Sequence, residues 1–402
     1  MMLRRSLYPT LVLSLALCVV GAEAQDYSCT NCMVDVSAGF QHSCAVREDN
    51  TVACWGLDDY GQATPLDLDP DVYTFHQVST GYGHTCAIVE CDPPPGQFCL
   101  AGNVRCWGWD DLDQATPGTV YLDQIDAGDF HTCGLKADNT IFCFGSDTYG
   151  ESTVPAIAAG WQYTQVSAGG YHTCAIQECT GICVLDTTVK CWGQNNQGQA
   201  TVPPGTDQFV QVSAGLYHTC AVRDDGFVAC WGRDSEQQST PPRTAFQYVS
   251  AGGFFTCGLR TDDSVACWGN NNHGQATPPE GSFKAISAGT YHACGLRPDG
   301  SVVCWGSDDF NQNLPPAGLC GLFDADFEVG GDCRWSNSGT PCWTADCDGD
   351  GHVSDESQTE CSPTMPVGPP LECPAGSWVG ATASCEAFDC WDHDLRVHPG
   401  QT

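Results

Sequence analysis

Seven times along this chain of 402 residues the same unit returns with small variations: Ala-Gly, a few residues, His-Thr-Cys, about ten residues, then Cys-Trp-Gly. The copies begin at Gly39, Gly81, Gly128, Gly169, Gly215, Gly252 and Gly289, and each closes with an aromatic-Gly pair such as Trp55-Gly56 or Trp305-Gly306. A period of roughly 40 residues, built from short apolar runs and Gly/Asp/Asn/Pro turns, is the mark of a propeller or a solenoid. The runs decide for strands. In Val212-Ser213-Ala214, Thr219 to Val222 and Phe227 to Trp231, β-branched, aromatic and small residues dominate, and no helical period is sustained. Seven such units suit a closed ring, which leaves no end to cap.

The cysteines point the same way. Cys44 and Cys54, Cys133 and Cys143, Cys220 and Cys230, Cys257 and Cys267, and Cys294 and Cys304 all stand ten residues apart. Between Cys220 and Cys230 lies Asp224-Asp225-Gly226, a three-residue hairpin loop with Gly where positive φ is needed. Folding about Asp225 sets Val222 opposite Val228 and Cys220 opposite Cys230, at a Cα separation of about 4.5–5.5 Å that a disulfide can span. Two copies nest a second pair inside the first: Cys91 and Cys99 within Cys86 and Cys106, and Cys179 and Cys183 within Cys174 and Cys191. Metal binding is the rival reading, but closed zinc sites favour Cys-x-x-Cys knuckles, which these pairs lack.

Disulfides need an oxidising compartment, and the N-terminus supplies the route. Arg4 and Arg5 precede an apolar run from Leu11 to Val20, and Ala22-Glu23-Ala24 is a small-x-small cleavage site, so residues 1–24 read as a secretory leader. The expected location is secreted or at the cell surface, with no membrane-spanning segment in the mature chain. Acidic residues number 49 against 14 basic ones, a formal net charge of −35 that argues against nucleic-acid binding and favours cations or a basic partner.

The segments Ala168-Gly169-Gly170-Tyr171-His172 and Trp192-Gly193-Gln194-Asn195-Asn196-Gln197-Gly198-Gln199 resemble the repeats of the regulator of chromosome condensation family of seven-bladed propellers. The similarity covers about Val34 to Ala317. Cysteine before Trp-Gly is more similar to secreted bacterial versions and to ectodomains of plant crinkly-type receptor kinases. Members of that family include a guanine-nucleotide exchange factor and a secreted bacterial β-lactamase inhibitor, so the resemblance implies a protein-binding platform rather than an enzyme.

Six copies carry His before the first cysteine, namely His42, His84, His131, His172, His218 and His292, with Phe255 in the remaining one. A ring of imidazoles could bind metal or sense pH. A position repeated in every blade more often serves the blade, and Phe255 shows that an apolar ring can replace it. Trp55, Trp107, Trp192, Trp231, Trp268 and Trp305, with Phe144 in the third copy, read as blade packing for the same reason. The extended arms Glu90 to Val104 and Gln177 to Thr188 break the repeat, and departures on loops are candidate partner contacts, with tolerated insertion as the alternative.

Beyond the repeats the spacing of cysteines turns irregular. Asp346, Asp348 and Asp350 stand at alternate positions before Gly351, as in a calcium loop, although the twelfth position is Ser357 where an EF-hand places glutamate. The ending Asp389-Cys390-Trp391-Asp392-His393-Asp394, followed by His398, resembles a bacterial metal-binding motif related to the copper-binding MopE protein. The candidate ligands are Asp346, Asp348, Asp350, Asp355, Asp389, Asp392, Asp394 and His398. Mostly carboxylate ligands favour calcium, and the histidines keep copper as the alternative. Cys29, Cys32 and the eight C-terminal cysteines have no assignable partners.

The resulting expectation is an all-β chain: a seven-bladed β-propeller with a small disulfide-rich C-terminal segment. Its parts are the leader 1–24, an N-terminal segment 25–33, the propeller 34–318, a linker 319–344 and an acidic, Cys-rich module 345–402. The function expected is a monomeric scaffold for a protein partner, with calcium held by the module. A structural surface protein and an extracellular enzyme are the alternatives.

Overall fold

In the computed structural model the described residues are 32–93, 102–181, 187–204 and 208–316, with short strands further on at Arg334–Trp335, Pro341–Trp343 and Glu360–Cys361. The chain divides into two compact units, Met1–Gly321 and Leu322–Thr402. In the second, the three short strands pair antiparallel. The first carries seven antiparallel three-stranded sheets, each a meander of consecutive strands. Blade one consists of Met33–Ala38, His42–Arg47 and Val52–Gly56, running from the inside of the ring outward. Propeller blades commonly hold four strands. Here the chain after each outer strand folds as a turn, built on the Trp-Gly-x-Asp/Asn-x-x-Gly-Gln stretch.

The hairpin between middle and outer strands sets the cysteine geometry. Arg223 N–H donates to Phe227 O at 2.9 Å, and Gly226 takes φ +83°. Pairs alternate outward from there, so Val222 faces Val228, Ala221 faces Ala229 and Cys220 faces Cys230. Three steps of alternation from the hydrogen-bonded Arg223–Phe227 pair make the cysteines a non-hydrogen-bonded pair, the kind whose Cα atoms approach closest. The Cα separations are 4.0–4.1 Å in all seven such bridges, shorter than strand geometry in general suggests. These bridges join Cys44–Cys54, Cys86–Cys106, Cys133–Cys143, Cys174–Cys191, Cys220–Cys230, Cys257–Cys267 and Cys294–Cys304. Cys91 and Cys179 are also disulfide-bonded, while Cys99 and Cys183 lie outside the described residues.

Among the described residues no apolar core occupies the centre, where the inner strands line a channel. Apolar side chains gather instead in seven clusters, one at each junction between neighbouring blades, including the junction of blade seven with blade one. Strict strand alternation would keep residues i and i+3 on opposite faces, yet Phe75 and Val78 enter the same cluster. A bulge between Phe75 and Gln77 removes the conflict, and the same irregularity recurs in the inner strands of blades one, four, five and six.

Three kinds of polar contact then lock the blades together, two at all seven junctions and the third at six. The first needs glycine. A Cβ on Gly81 would lie 2.2 Å from Gly128 O, and the other six Ala-Gly glycines meet the following glycine's carbonyl at 2.2–2.5 Å. No other side chain fits there without parting the blades.

In the second, a serine on one inner strand accepts the N–H of the next inner strand: Ser167 from Ala214, Ser213 from Ala251, Ser250 from Ala288, and Ser287 from Ala38 across the closure, at 2.9–3.0 Å. Asp126 plays this part in blade three, accepting Ala168 N–H at 2.9 Å.

The third is a relay through histidine. His172 Nε2 lies 2.7 Å from Thr219 Oγ1, and Thr219 donates to Gln199 O at 2.9 Å. Five more junctions repeat this, ending with His292 at Ser43. The hydroxyl's one proton goes to the carbonyl, so it accepts from Nε2–H, which makes each imidazole a neutral Nε2–H tautomer. The same carbonyl takes the tryptophan: Trp231 Nε1–H donates to Gln199 O at 2.8 Å, and Trp55 to Gln312 O at 2.9 Å across the closure. The remaining junction drops the relay on both sides at once. Phe255 stands for histidine, and Ala293 stands where its hydroxyl partner would be, both fully buried.

That paired replacement generates a test. Thr219→Ala strands His172 Nε2 without its acceptor and is expected to cost about 1–3 kcal/mol. Adding His172→Phe copies the Phe255/Ala293 junction and should restore at least half of the lost stability, read by thermal melting. A double variant less stable than Thr219→Ala alone would contradict the relay.

Acidification acts on the same relay. Burial lowers His42, His84, His172 and His292 from 6.5 to about 3, and His131 and His218 to about 4. Between pH 6.5 and those values the unfolded chain binds protons that the folded chain refuses, so stability falls as pH falls. Burial raises Asp35 and Asp126 to about 6 and Asp129 to about 7, so these three oppose the trend between their folded values and 3.8. Six groups outweigh three. The melting temperature should drop from pH 7 to pH 4.5, and a flat or rising profile would contradict this.

Candidate functional site

The inner strands enclose a channel of about 520 Å³ lined by backbone and small side chains from all seven blades. Near one wall, Gln77 Oε1 accepts Ile125 N–H while its Nε2 donates to Ile125 O, both at 3.0 Å. Gln124, Gln165 and Gln211 likewise accept from the next strand, as does Asp35 Oδ2 from Val78 N–H. Tyr248 and Ala285 interrupt this layer, and Tyr248 lines the channel. Burial, then the carboxylates of Asp126 and Asp35, push its phenol above the ordinary value.

One mouth of the channel carries an aromatic collar. Two residues separate each repeat glycine from the histidine position, and one of them is aromatic in every blade: Phe40, Tyr82, Phe130, Tyr171, Tyr217, Phe254 and Tyr291. Each ring contacts the next. Centroid distances run from 4.2 Å between Phe40 and Tyr82 to 6.5 Å between Tyr217 and Phe254, and Phe40 meets Tyr291 at 5.8 Å to close the circuit. All seven are half-buried. Trp109 adds edge contacts to Tyr82 and Phe130, and Tyr60 and Tyr149, half exposed, widen the apolar surface.

The charge around the collar is one-sided. The turns that follow the outer strands reach this face, since Leu57 N–H donates to Gln41 O and Trp109 N–H to Gly83 O. Carboxylates stand in five of the seven turns, and the one lysine or arginine among them is Arg233. Several carboxylates serve the turns themselves: Asp58 accepts Ala63 N–H at 2.7 Å and the Thr64 hydroxyl at 2.6 Å, and Asp110 repeats the pattern. The Arg233 guanidinium lies over the Phe254 and Tyr217 rings, 5.0 and 5.9 Å from their centroids. Asp129 sits at the collar beside Phe130. Burial raises its carboxyl to about 7, and that carboxyl accepts no hydrogen bond among the described residues.

The extended arms belong to the opposite face. The middle strands start at the histidine beside the collar and end at the hairpin, and in blades two and four they run on to Cys91 and Cys179. The tips 94–101 and 182–186 lie outside the described residues. The histidines do not gather around a metal. Each is buried at its own junction, and among the described residues no group of three or more His, Cys, Asp or Glu could hold an ion. Asp346, Asp348, Asp350, Asp355, Asp389, Asp392, Asp394, His398 and the leader 1–24 lie outside the described residues. Among the described residues no helix is long and apolar enough to cross a membrane. Sequence reading missed the collar. Its signal, one aromatic per copy, slips by one position between Tyr82 and Phe130 and so escapes a fixed-spacing motif.

The model for the regulator of chromosome condensation (RCC1) repeat matches residues 33–62, 123–151, 209–238, 246–275 and 283–312, which are blades one, three, five, six and seven. The two unmatched blades are those with extended arms. The crinkly ectodomain of the Arabidopsis thaliana receptor kinase ACR4 is 27% identical at a TM-score of 0.52, with 69% of this chain and 98% of that one covered. The ectodomain of Physcomitrella patens receptor kinase CR4 is also 27% identical at a TM-score of 0.52, over 69% of this chain and 74% of that one. The Arabidopsis thaliana ultraviolet-B receptor UVR8 is 24% identical over 43% of this chain and 44% of its own length. The human protein named "Probable E3 ubiquitin-protein ligase HERC6" is 28% identical over 37% of this chain. The match spans 17% of that ligase, so it concerns the repeats alone.

Proposed function

We propose that this chain is a secreted, disulfide-stapled propeller that receives a protein partner on its aromatic collar, while its acidic C-terminal segment binds calcium. The observation that carries the reading is the collar: a closed ring of half-exposed aromatics at a channel mouth, in a face lined with carboxylates. Aromatic side chains left partly exposed around a rigid mouth are the material of binding hot spots. Secretion is supported by the leader-like N-terminus and the cross-linked blades, and by likeness to receptor-kinase ectodomains. Calcium rests on the alternate carboxylates at Asp346, Asp348 and Asp350 before Gly351. Repeat propellers are chiefly binding folds, and the ligase relative is covered only over its repeats, so a binding role is favoured over catalysis.

One experiment tests both parts. The full chain is cross-linked to surface and secreted proteins of its source, with calcium and with chelator, and compared with Tyr171→Ala and with a deletion of 94–98 in the first arm. Saturable capture that Tyr171→Ala weakens roughly tenfold and the arm deletion leaves intact is expected. Capture that follows the arm instead would move the site to the opposite face. Capture unchanged in chelator, with no calcium-specific heat in calorimetry against a magnesium control, would remove the calcium role.

A further inference from the structure

The collar already holds one guanidinium of its own. Arg233 reaches from the turn after blade five to lie over Phe254 and Tyr217, and it is the one lysine or arginine in the seven turns, where His273 of the blade-six turn meets the Tyr291 ring at 5.7 Å. Elsewhere around the circuit the ring faces carry no cation among the described residues. The sector of blades two to four is richest in ring surface, since Tyr82, Phe130 and Tyr171 are joined there by Trp109 and Tyr149. It also contains Asp129, where the other blades place an aromatic, an aliphatic, glycine or threonine.

Asp129 has no use in the fold that its neighbours require. Its backbone N–H meets Gly169 O, as any residue's would, but its carboxylate has no hydrogen-bond donor among the described residues. It lines the channel mouth, near enough to Gly170 that a Cβ there would lie 3.2 Å from Oδ2. Ring faces are electron-rich, and a carboxylate beside them adds negative charge when ionised, so the pair is complementary to a cation with flat faces or a long apolar stem. Burial without a partner raises Asp129, and an incoming cation would relieve that cost.

We infer that the sector formed by Phe130, Tyr171, Trp109 and Asp129 is a receptor for an arginine side chain of the protein partner. The guanidinium would stack on the rings, as Arg233 does two to three blades away, and pair with the Asp129 carboxylate. Arginine is favoured over lysine because its planar group both stacks and forms paired hydrogen bonds to a carboxylate. The surrounding carboxylates steer a basic segment toward this mouth. This inference rests on the reading of the collar as the partner surface, and names what that surface recognises.

The probe is a dye-labelled peptide, Gly-Arg-Gly-Arg-Gly, titrated into the full chain by fluorescence anisotropy, against the same peptide with neutral citrulline for arginine. The arginine peptide should bind roughly tenfold more tightly than the citrulline one. Asp129→Asn should weaken it by roughly three- to tenfold, while Asp49→Asn, in a hairpin on the opposite face, should not. Arg233→Gln, which vacates Phe254 and Tyr217, should strengthen it by roughly two- to threefold, so the two variants move in opposite directions whatever their effect on folding. Equal binding of both peptides, equal effects of the two aspartate substitutions, or binding of phosphocholine vesicles in place of the peptide would overturn the inference. Partner capture that persists in Asp129→Asn and is not competed by the arginine peptide would leave the platform standing and remove the arginine site.

Discussion

The ring depends on how closely its inner strands can approach. At each Ala-Gly step the carbonyl of one glycine sits where a Cβ on the preceding blade's glycine would be, so seven glycines set the radius of the channel. At that distance a serine can reach the next strand's N–H, and a histidine can reach the next blade's threonine. The inner strands enclose a channel lined by backbone and small side chains rather than an apolar core. Apolar burial moves to the seven junctions, and in six blades a tryptophan donates back to the turn of the blade before it. Closure then requires no special strand, since blade seven meets blade one with the same three contacts that most other pairs make.

Equivalent junctions leave function to the differences between blades. A buried repeated position such as the histidine is accounted for by packing, and the acidic residues of the repeats partly serve their own turns, as Asp58 and Asp110 do. Three departures are not explained in this way: Asp129 and Arg233 at the collar, and Tyr248 in the channel. The first two lie on one face and are of opposite charge. The propeller thus supplies a rigid frame that holds aromatic side chains at fixed spacing, which limits the ordering cost when a partner docks.

Much of the fold was legible because its constraints are local. Ten residues between Cys220 and Cys230, with Gly226 at the turn, dictate the register found from Val222–Val228 outward. The histidines read correctly as servants of the blade, since Phe255 showed that the position tolerates an apolar ring. What that reading could not show was the coupled change at Ala293, because the partners lie 38 residues apart and meet only when blades close. The bulge that sends both Phe75 and Val78 into one cluster was equally hidden, as alternation alone gives the wrong face. The collar stayed invisible for a simpler reason: its aromatic shifts by one residue between blades two and three, so the pattern exists in space and not in spacing. The candidate metal ligands from Asp346 onward remain a reading of sequence.

The contact on which this account turns is the glycine step, and one pair of melting curves tests it. Gly169→Ala places a Cβ 2.4 Å from Gly215 O, whereas Gly61→Ala, at φ +77°, meets open space. The second should cost about 1 kcal/mol for its left-handed backbone alone. The first should cost at least about 3 kcal/mol, because two blades must part. Equal melting temperatures for the two variants would mean that the inner ring is looser than described, and that the seven glycines do not set its radius.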